Sequence, residues 1–432
     1  MRKINLVTLG CSKNTVDSEV LMFQLQKNGW SVELNSNSTS AKVVIINTCG
    51  FIGDAKEESI GTMLNFVAAK QNGLVHRVYV IGCLAQRYRD ELLTEIPELD
   101  GVFRLAEIPQ LLGELRGAFF ADCATQRVLS TPRHYAYLKI SEGCSWRCSY
   151  CAIPLIRGEH VSRSLESLVM EAEQLVAQGV RELIVIAQDS TYYGIDLYGE
   201  RRLAELLARL AAVEGVVWVR LHYAHPAHFP AEVLDLMASN PKICPYIDIP
   251  LQHVSTPVLR AMRRHHTGPE VEALIDTMRR RVPNLAIRTT FMVGFPGETE
   301  EDFQQLLQFV QRHRLDRVGV FTYSEEEGTA AAQLPDDVPQ EVKQQRADAL
   351  MQLQRDISLA NNQQRVGQRL AVMVDVADDG TLIARTAHDS PEVDQEVLVL
   401  LDGQAGRAVR PGDLVQVEIT EAQDYDLVGR LV

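Results

Sequence analysis

Cys144, Cys148 and Cys151 stand in the run Glu142-Gly143-Cys144-Ser145-Trp146-Arg147-Cys148-Ser149-Tyr150-Cys151, a CxxxCxxC triplet that constrains this chain more than any other feature. Three thiolates so close in sequence can hold three corners of an iron–sulfur cubane and leave the fourth iron open to an outside ligand. A zinc knuckle is the alternative. A closed zinc site takes four ligands, however, and the next Cys or His after Cys151 is His160. A thioredoxin-like reading of Cys148 and Cys151 leaves Cys144 without a role.

Upstream, apolar strands alternate with helical segments, the pattern of an α/β unit with a parallel sheet. Strands are expected over residues 4–9, 42–47 and 77–81, and each runs straight into a cysteine: Gly10-Cys11, Thr48-Cys49 and Gly82-Cys83. Ligands of open parallel sheets bind outside the carboxyl ends of the strands, so Cys11, Cys49 and Cys83 are expected to converge on one edge. One such cysteine is ordinarily a small buried residue. Three at equivalent places make a second metal site a candidate.

A polar connection over residues 121–134 reads as a linker. The alternation then resumes, with strands expected near Leu138 and over 183–187, 216–221, 246–249, 287–293 and 318–323, separated by amphipathic segments such as 165–177, 203–213 and 302–310. Six repeats make an incomplete barrel, whose active site would lie at the strand carboxyl ends. The cysteine triplet follows the first of these strands, and polar groups follow others: Gln188-Asp189, His222-Tyr223, Gln252-His253 and Thr290. A turn at Gly294-Phe295-Pro296-Gly297 lets backbone approach a ligand, and Thr299 with Asp302 suggests a capping box opening the next helix. No GxGxxG or P-loop pattern is present, which argues against dinucleotide or ATP phosphate chemistry. His265-His266 reads as a solvated helix face, and Cys123 and Cys244 as structural.

One long helix is expected over 339–364, followed by short strands at 370–376, 381–385, 397–401, 414–419 and 426–431, split by Asp379-Gly380 and Pro411-Gly412. The expected fold class is therefore α/β: an N-terminal parallel-sheet α/β domain over 1–120, a partial (β/α)6 barrel over 131–367, and a small C-terminal antiparallel β-barrel over 368–432.

The first residues lack a signal-peptide pattern, and no segment approaches the ~18 continuous apolar residues of a membrane span. A cytoplasmic protein with no membrane partner is expected, its cysteines serving as ligands or buried hydrophobes rather than disulfides. Net charge is -14, and residues 368–432 carry thirteen Asp and Glu against five Arg and no Lys. Such a tail disfavours nucleic acid as the main partner and either attracts a basic protein or is simply a solvated acidic face.

Gly143-Cys144-Ser145-Trp146-Arg147-Cys148-Ser149-Tyr150-Cys151 resembles the radical S-adenosylmethionine (SAM) signature, with Tyr150 at its aromatic position. Cys11, Cys49 and Cys83, together with Gln188-Asp189-Ser190-Thr191-Tyr192-Tyr193-Gly194 and Tyr323-Ser324 before Gly328-Thr329, resemble the methylthiotransferases. The resemblance covers essentially the whole chain. It implies two 4Fe-4S clusters, one on Cys144, Cys148 and Cys151 and one on Cys11, Cys49 and Cys83. It also implies SAM as cofactor and a low-potential electron donor, with Tyr150, Gln188, Asp189 and Gly294 as candidate SAM contacts. The terminal unit would be a TRAM barrel.

Within that family an acidic terminal barrel resembles the branch acting on ribosomal protein S12. Ser390-Pro391-Glu392-Val393-Asp394 is similar to a segment of that branch, departing at Ser390 and at the following Gln395. The implied reaction adds a methylthio group to the β-carbon of an S12 aspartate, with one SAM as methyl donor and another as radical source. A transfer RNA methylthiotransferase is the second reading, whose RNA binding would weaken steeply with salt. A noncatalytic iron–sulfur electron carrier or zinc scaffold is a third, needing neither a SAM pocket nor a large barrel.

Overall fold

The computed structural model describes residues 2–37, 40–123, 125–378, 380–401 and 409–432. Its first sheet is five-stranded and parallel, in the order β2-β1-β3-β4-β5, from β1 (Arg2–Thr8), β2 (Trp30–Leu34), β3 (Val43–Thr48), β4 (Arg77–Gly82) and β5 (Gly101–Val102). The central strands read as nearly continuous apolar runs because both faces are covered, by two separate side-chain clusters. Helices α1 (Ser12–Lys27), α2 (Gly53–Gln71) and α3 (Cys83–Glu95) follow β1, β3 and β4. The three expected strands are present within two residues of their expected bounds, whereas β2 and β5 were not anticipated. Edge strand β2 is half-buried throughout, and β5 has two residues, so neither leaves a strong apolar pattern.

The second sheet is parallel and open, in the order β13-β12-β11-β10-β9-β6. Its strands are β6 (Tyr135–Lys139), β9 (Glu182–Ile186), β10 (Trp218–Leu221), β11 (Ile243–Asp248), β12 (Ala286–Val293) and β13 (Arg317–Thr322), with a small ribbon of β7 (Ser141–Glu142) and β8 (Val161–Ser162). Alternate residues such as Leu138, Val185, Val219, Ile247 and Ile287 face the surrounding helices in the largest core. The residues between them, Tyr135, Tyr137, Arg220, Tyr246 and Arg288, point to the inner face of the partial barrel. Thr299 and Asp302 form the expected capping box. The expected long helix spans Gln340–Gln363.

Strands β14 (Arg369–Asp378), β15 (Thr381–Thr386), β16 (Val397–Leu400), β17 (Leu414–Ala422) and β18 (Leu427–Leu431) close into a barrel ordered β14-β15-β16-β18-β17 around its own apolar core. Asp379 of the expected Asp379-Gly380 turn lies outside the described residues.

Both flanking units dock on the inner face of the open sheet. From α1, Val16 packs with Tyr135, Tyr137, Ile184 and Ile186. From the loop before β16, the Glu392 carboxylate accepts from the hydroxyls of Tyr135 and Tyr137, at 2.9 Å each, and Asp394 accepts from Tyr246 at 2.8 Å and pairs with Arg288 at 3.3 Å. Asp389 pairs with Arg317 and Asp375 with Arg385. A substantial part of the acidic tail thus faces inward rather than outward. Among the described residues, no helix is long and apolar enough to cross a membrane.

Candidate active site

Adjacent parallel strands β1, β3 and β4 end side by side, and Cys11, Cys49 and Cys83 follow them at that edge. Asn14, in the first turn of α1, binds the strand ends together. Its Nδ2 donates to the carbonyls of Leu9 (2.8 Å) and Thr48 (3.0 Å), and its Oδ1 lies 3.7 Å from the Cys83 thiol. Ser59 of α2 holds the Cys49 backbone through both its N–H and its carbonyl. Burial pushes the Cys83 thiol up to about 11, the Arg157 guanidinium opposing it, and raises Cys49 as well.

The second triplet lies beyond β6. Gly143 adopts φ +74°, and a Cβ there would come within 2.0 Å of the Glu159 carbonyl oxygen, so the backbone leading into Cys144 presses against the returning chain. Cys144 N–H donates to the Gly158 carbonyl. Farther on, Ser149 fixes the loop by donating to the carbonyls of Met262 and Ala261. Arg264 donates to the Pro250 carbonyl at 2.6 Å and approaches Cys148 Sγ at 3.6 Å. Burial pushes Cys144 and Cys151 up to about 12, and the neighbouring Cys148 adds to both.

Arg157, at the end of the short helix Ile153–Arg157 that follows Cys151, reaches across to Cys83. Its Nη2 and Nε lie 3.2 and 3.4 Å from Cys83 Sγ, and Nη2 also donates to Asn14 Oδ1 at 2.7 Å. Its Nη1 pairs with Asp17 at 2.9 Å and Glu142 at 3.3 Å. Burial works against this charge, but Asp17, Cys83 and Glu142 outweigh it and hold the guanidinium protonated. Lys139 pairs with the same two carboxylates. Nothing in the spacing of the cysteines pointed to Arg157, Arg264 or Asn14.

The anticipated SAM contacts fall at different places. Tyr150 is half-buried beside Val258, Met262, Phe295, Tyr323 and Ala331, with its hydroxyl bonded to Cys148. Gln188 Nε2 donates to Glu142 at 2.8 Å, leaving Oε1 buried without a partner. Asp189 accepts from the N–H and hydroxyl of Thr191 and, at 2.6 Å, from Trp146 Nε1. Gly294, at φ +72°, has Lys343 where its Cβ would stand, 2.2 Å from Cγ, so its missing side chain makes room for the long helix.

Trp146, oriented by Asp189, stacks on His225 with ring centroids 4.2 Å apart and planes at 10°, and His265 lies 5.4 Å away. The expected solvated helix face at His265-His266 is found only in part: the pair lies between helices Thr256–Ala261 and Gly268–Arg281, His265 exposed at φ +57° and His266 buried against His225. The run turns between the two helices, so that Arg264 reaches Cys148 and His266 packs inward while His265 keeps its exposure beside Trp146. Burial depresses both His225 and His266, the latter to about 4, so these rings stand neutral. Cys123 and Cys244 are buried away from both triplets.

A cluster with a polar cofactor fits this donor set. All six cysteines are free thiols, and guanidinium groups reach one thiol of each triplet. Buried polar atoms without a partner, Ser141 Oγ, Gln188 Oε1, His225 Nε2 and both ring nitrogens of His266, gather at the same end of the barrel. Among the described residues no group of three or more His, Cys, Asp or Glu is arranged to hold a metal ion; a cubane would spread three thiolates over three irons.

The chain matches the Radical SAM superfamily over residues 138–310, Uncharacterized protein family UPF0004 over 3–104 and the TRAM domain over 366–432. It is 50% identical to the ribosomal protein uS12 methylthiotransferase RimO of Porphyromonas gingivalis, covering 100% of this chain and 99% of the relative. It is 51% identical to the RimO of Flavobacterium johnsoniae, covering 99% and 97%. Among solved structures, the radical SAM methyltransferase TsrM of Kitasatospora setae shares the fold at 16% identity and a TM-score of 0.52, over 88% of this chain and 79% of that one. With half of its residues shared end to end and the radical SAM and TRAM units both present, the chain belongs to the radical SAM methylthiotransferases, in the ribosomal protein uS12 methylthiotransferase RimO family.

Proposed function

We propose that this protein adds a methylthio group to the β-carbon of an aspartate of ribosomal protein S12. Membership of the radical SAM superfamily implies a 4Fe-4S cluster and SAM. The finer reading is two clusters, one on Cys144, Cys148 and Cys151 and one on Cys11, Cys49 and Cys83, with residues 1–120, 131–367 and 368–432 as cluster domain, radical SAM barrel and TRAM barrel. When bound, the cofactors supply the electron, the hydrogen-abstracting radical and the sulfur that an unactivated C–H bond demands.

The chain's own part is placement. Arg157 carries the reading: one side chain from the loop after the radical SAM triplet bonds to a thiol of the other triplet, which favours two cofactors facing one space. Asp189 orients Trp146 and closes one side, while Tyr150, the free Gln188 Oε1, and the turn at Gly294 edge the SAM site. Both SAM molecules, as methyl donor and as radical source, would be used there. A low-potential donor supplies electrons, and eight free cysteines with a ribosomal-protein substrate favour the cytoplasm.

The test is mass spectrometry of S12 after incubation with anaerobically reconstituted enzyme, reductant and SAM. Methylthiolated aspartate with about eight iron atoms per chain supports the reading; unmodified S12 overturns it. Cys11→Ala is expected to keep deoxyadenosine release and lose the methylthio product, and Cys148→Ala to lose both.

A further inference from the structure

Lys13 sits in the first turn of α1, two residues past Cys11, and is 8% exposed. Its Nζ lies 3.0 Å from the centroid of the Tyr223 ring, at the carboxyl end of β10. Among the described residues it makes no ion pair with a carboxylate, whereas the cations around it do: Lys139 and Arg157 with Asp17 and Glu142, Arg288 with Asp248. An ammonium withdrawn from water is costly unless paired. A ring face compensates part of that cost without supplying an anion.

The ring is held there on purpose. Tyr223 adopts φ +58°, a strained conformation for an aromatic residue, and its N–H donates to Asp248 at 3.2 Å. The field of Lys13 extends into the barrel, where burial, Arg220, Arg288 and Lys13 together keep the His222 imidazole neutral. The next residue, Asn14, contacts both Cys83 and Arg157. Lys13 therefore stands between the Cys11, Cys49 and Cys83 triplet and the barrel's strand ends.

We propose that Lys13 receives the side-chain carboxylate of the substrate aspartate, a role that rests on the aspartate reading above. The reacting β-carbon is one bond from that carboxylate, so clamping the carboxylate fixes the carbon. No bond is made or broken at Lys13; the ammonium exchanges hydration for an ion pair. A buried cation without a fixed anion also rejects a neutral amide in the same place, which gives Asp over Asn.

The experiment compares holoenzyme acting on S12 with S12 whose target residue is changed Asp→Asn, by kcat/KM and by calorimetric affinity. Wild type is expected to prefer aspartate by on the order of 10²-fold, the scale for removing one partner of a desolvated charge pair. Lys13→Met and Lys13→Gln should shrink that preference to a few-fold, and Lys13→Arg should keep most of it. Preference retained by Lys13→Met, or lost equally in Lys13→Arg, overturns the proposal while leaving the methylthiotransferase reading intact. A wild type that does not modify S12 overturns that reading first. Should the Lys13 variants fail to fold, the wild-type comparison alone still decides: equal use of the Asp and Asn forms of S12 overturns the proposal.

Discussion

Arg157 Nη2 lies 3.2 Å from Cys83 Sγ, across 74 residues of sequence and between two different sheets. Hydrogen bonds and charge at the sulfurs set the reduction potential of an iron–sulfur cluster. Arg157→Gln is expected to make the proposed cluster on Cys11, Cys49 and Cys83 harder to reduce. An electron paramagnetic resonance titration in a Cys148→Ala background, where only that cluster assembles, reads the midpoint directly. The variant also leaves Asp17 with Lys139, and Glu142 with Lys139 and Gln188, at a cost of roughly 3–5 kcal/mol for breaking a buried pair. An unmoved midpoint would deny the guanidinium any electronic part.

Gly143→Ala tests the backbone behind the radical SAM triplet. The added Cβ would lie 2.0 Å from the Glu159 carbonyl oxygen, which is backbone and has no rotamer by which to retreat, and φ +74° is itself unfavourable for alanine. Iron bound after reconstitution is expected to fall toward half, and SAM cleavage to be lost. Full iron and normal cleavage would mean the loop relaxes without moving Cys144.

Nearly every long strand is legible in the sequence, because burial on both faces writes a continuous apolar run, and so is the placing of Cys11, Cys49 and Cys83 at adjacent strand ends. Trp30–Leu34 was not, since an edge strand is only half-buried. Arg157, Arg264 and Lys13 were not, since a single cation reaching a distant site has no periodicity. His265 keeps the exposure its basic run suggests while His266 turns inward, a difference that one dimension does not show. The acidic tail's charge suggests an outward surface, but Asp389 and Asp394 pair across the unit boundary with Arg317 and Arg288.

That inward pairing makes the terminal barrel part of the scaffold. Asp394, with its side chain 1% exposed, bridges Arg288 and the Tyr246 hydroxyl across the unit boundary. Asp394→Ala leaves the buried Tyr246 hydroxyl and the partly exposed Arg288 each with one acceptor fewer and is expected to destabilise by roughly 3 kcal/mol in urea unfolding. Arg181 and Asp413, both about two-fifths exposed, also bridge the barrel and the terminal unit, and Asp413→Ala should cost under ~1 kcal/mol. Equal losses would mean that depth of burial does not govern this seam.

Acid should weaken the barrel through its buried histidines, and His253 isolates one of them. The ring is fully buried, and its Nδ1 accepts from Ser255 N–H at 2.9 Å, a bond that protonation removes. Burial pushes the imidazole down to about 4, against the attraction of Asp302 and with repulsion from Arg346. In the unfolded chain the ring titrates near ~6.5. Between these values the unfolded state binds a proton that the folded state refuses. The stabilisation is therefore present above pH ~6.5 and is lost as pH falls through about 4, amounting to on the order of 3 kcal/mol. His253→Asn, whose Oδ1 can replace Nδ1 as acceptor, should be less stable at neutral pH through lost packing but lose less on acidification. Urea unfolding of both proteins from pH 7 to pH 4 checks this, and curves that stay parallel would assign the acid sensitivity to other groups.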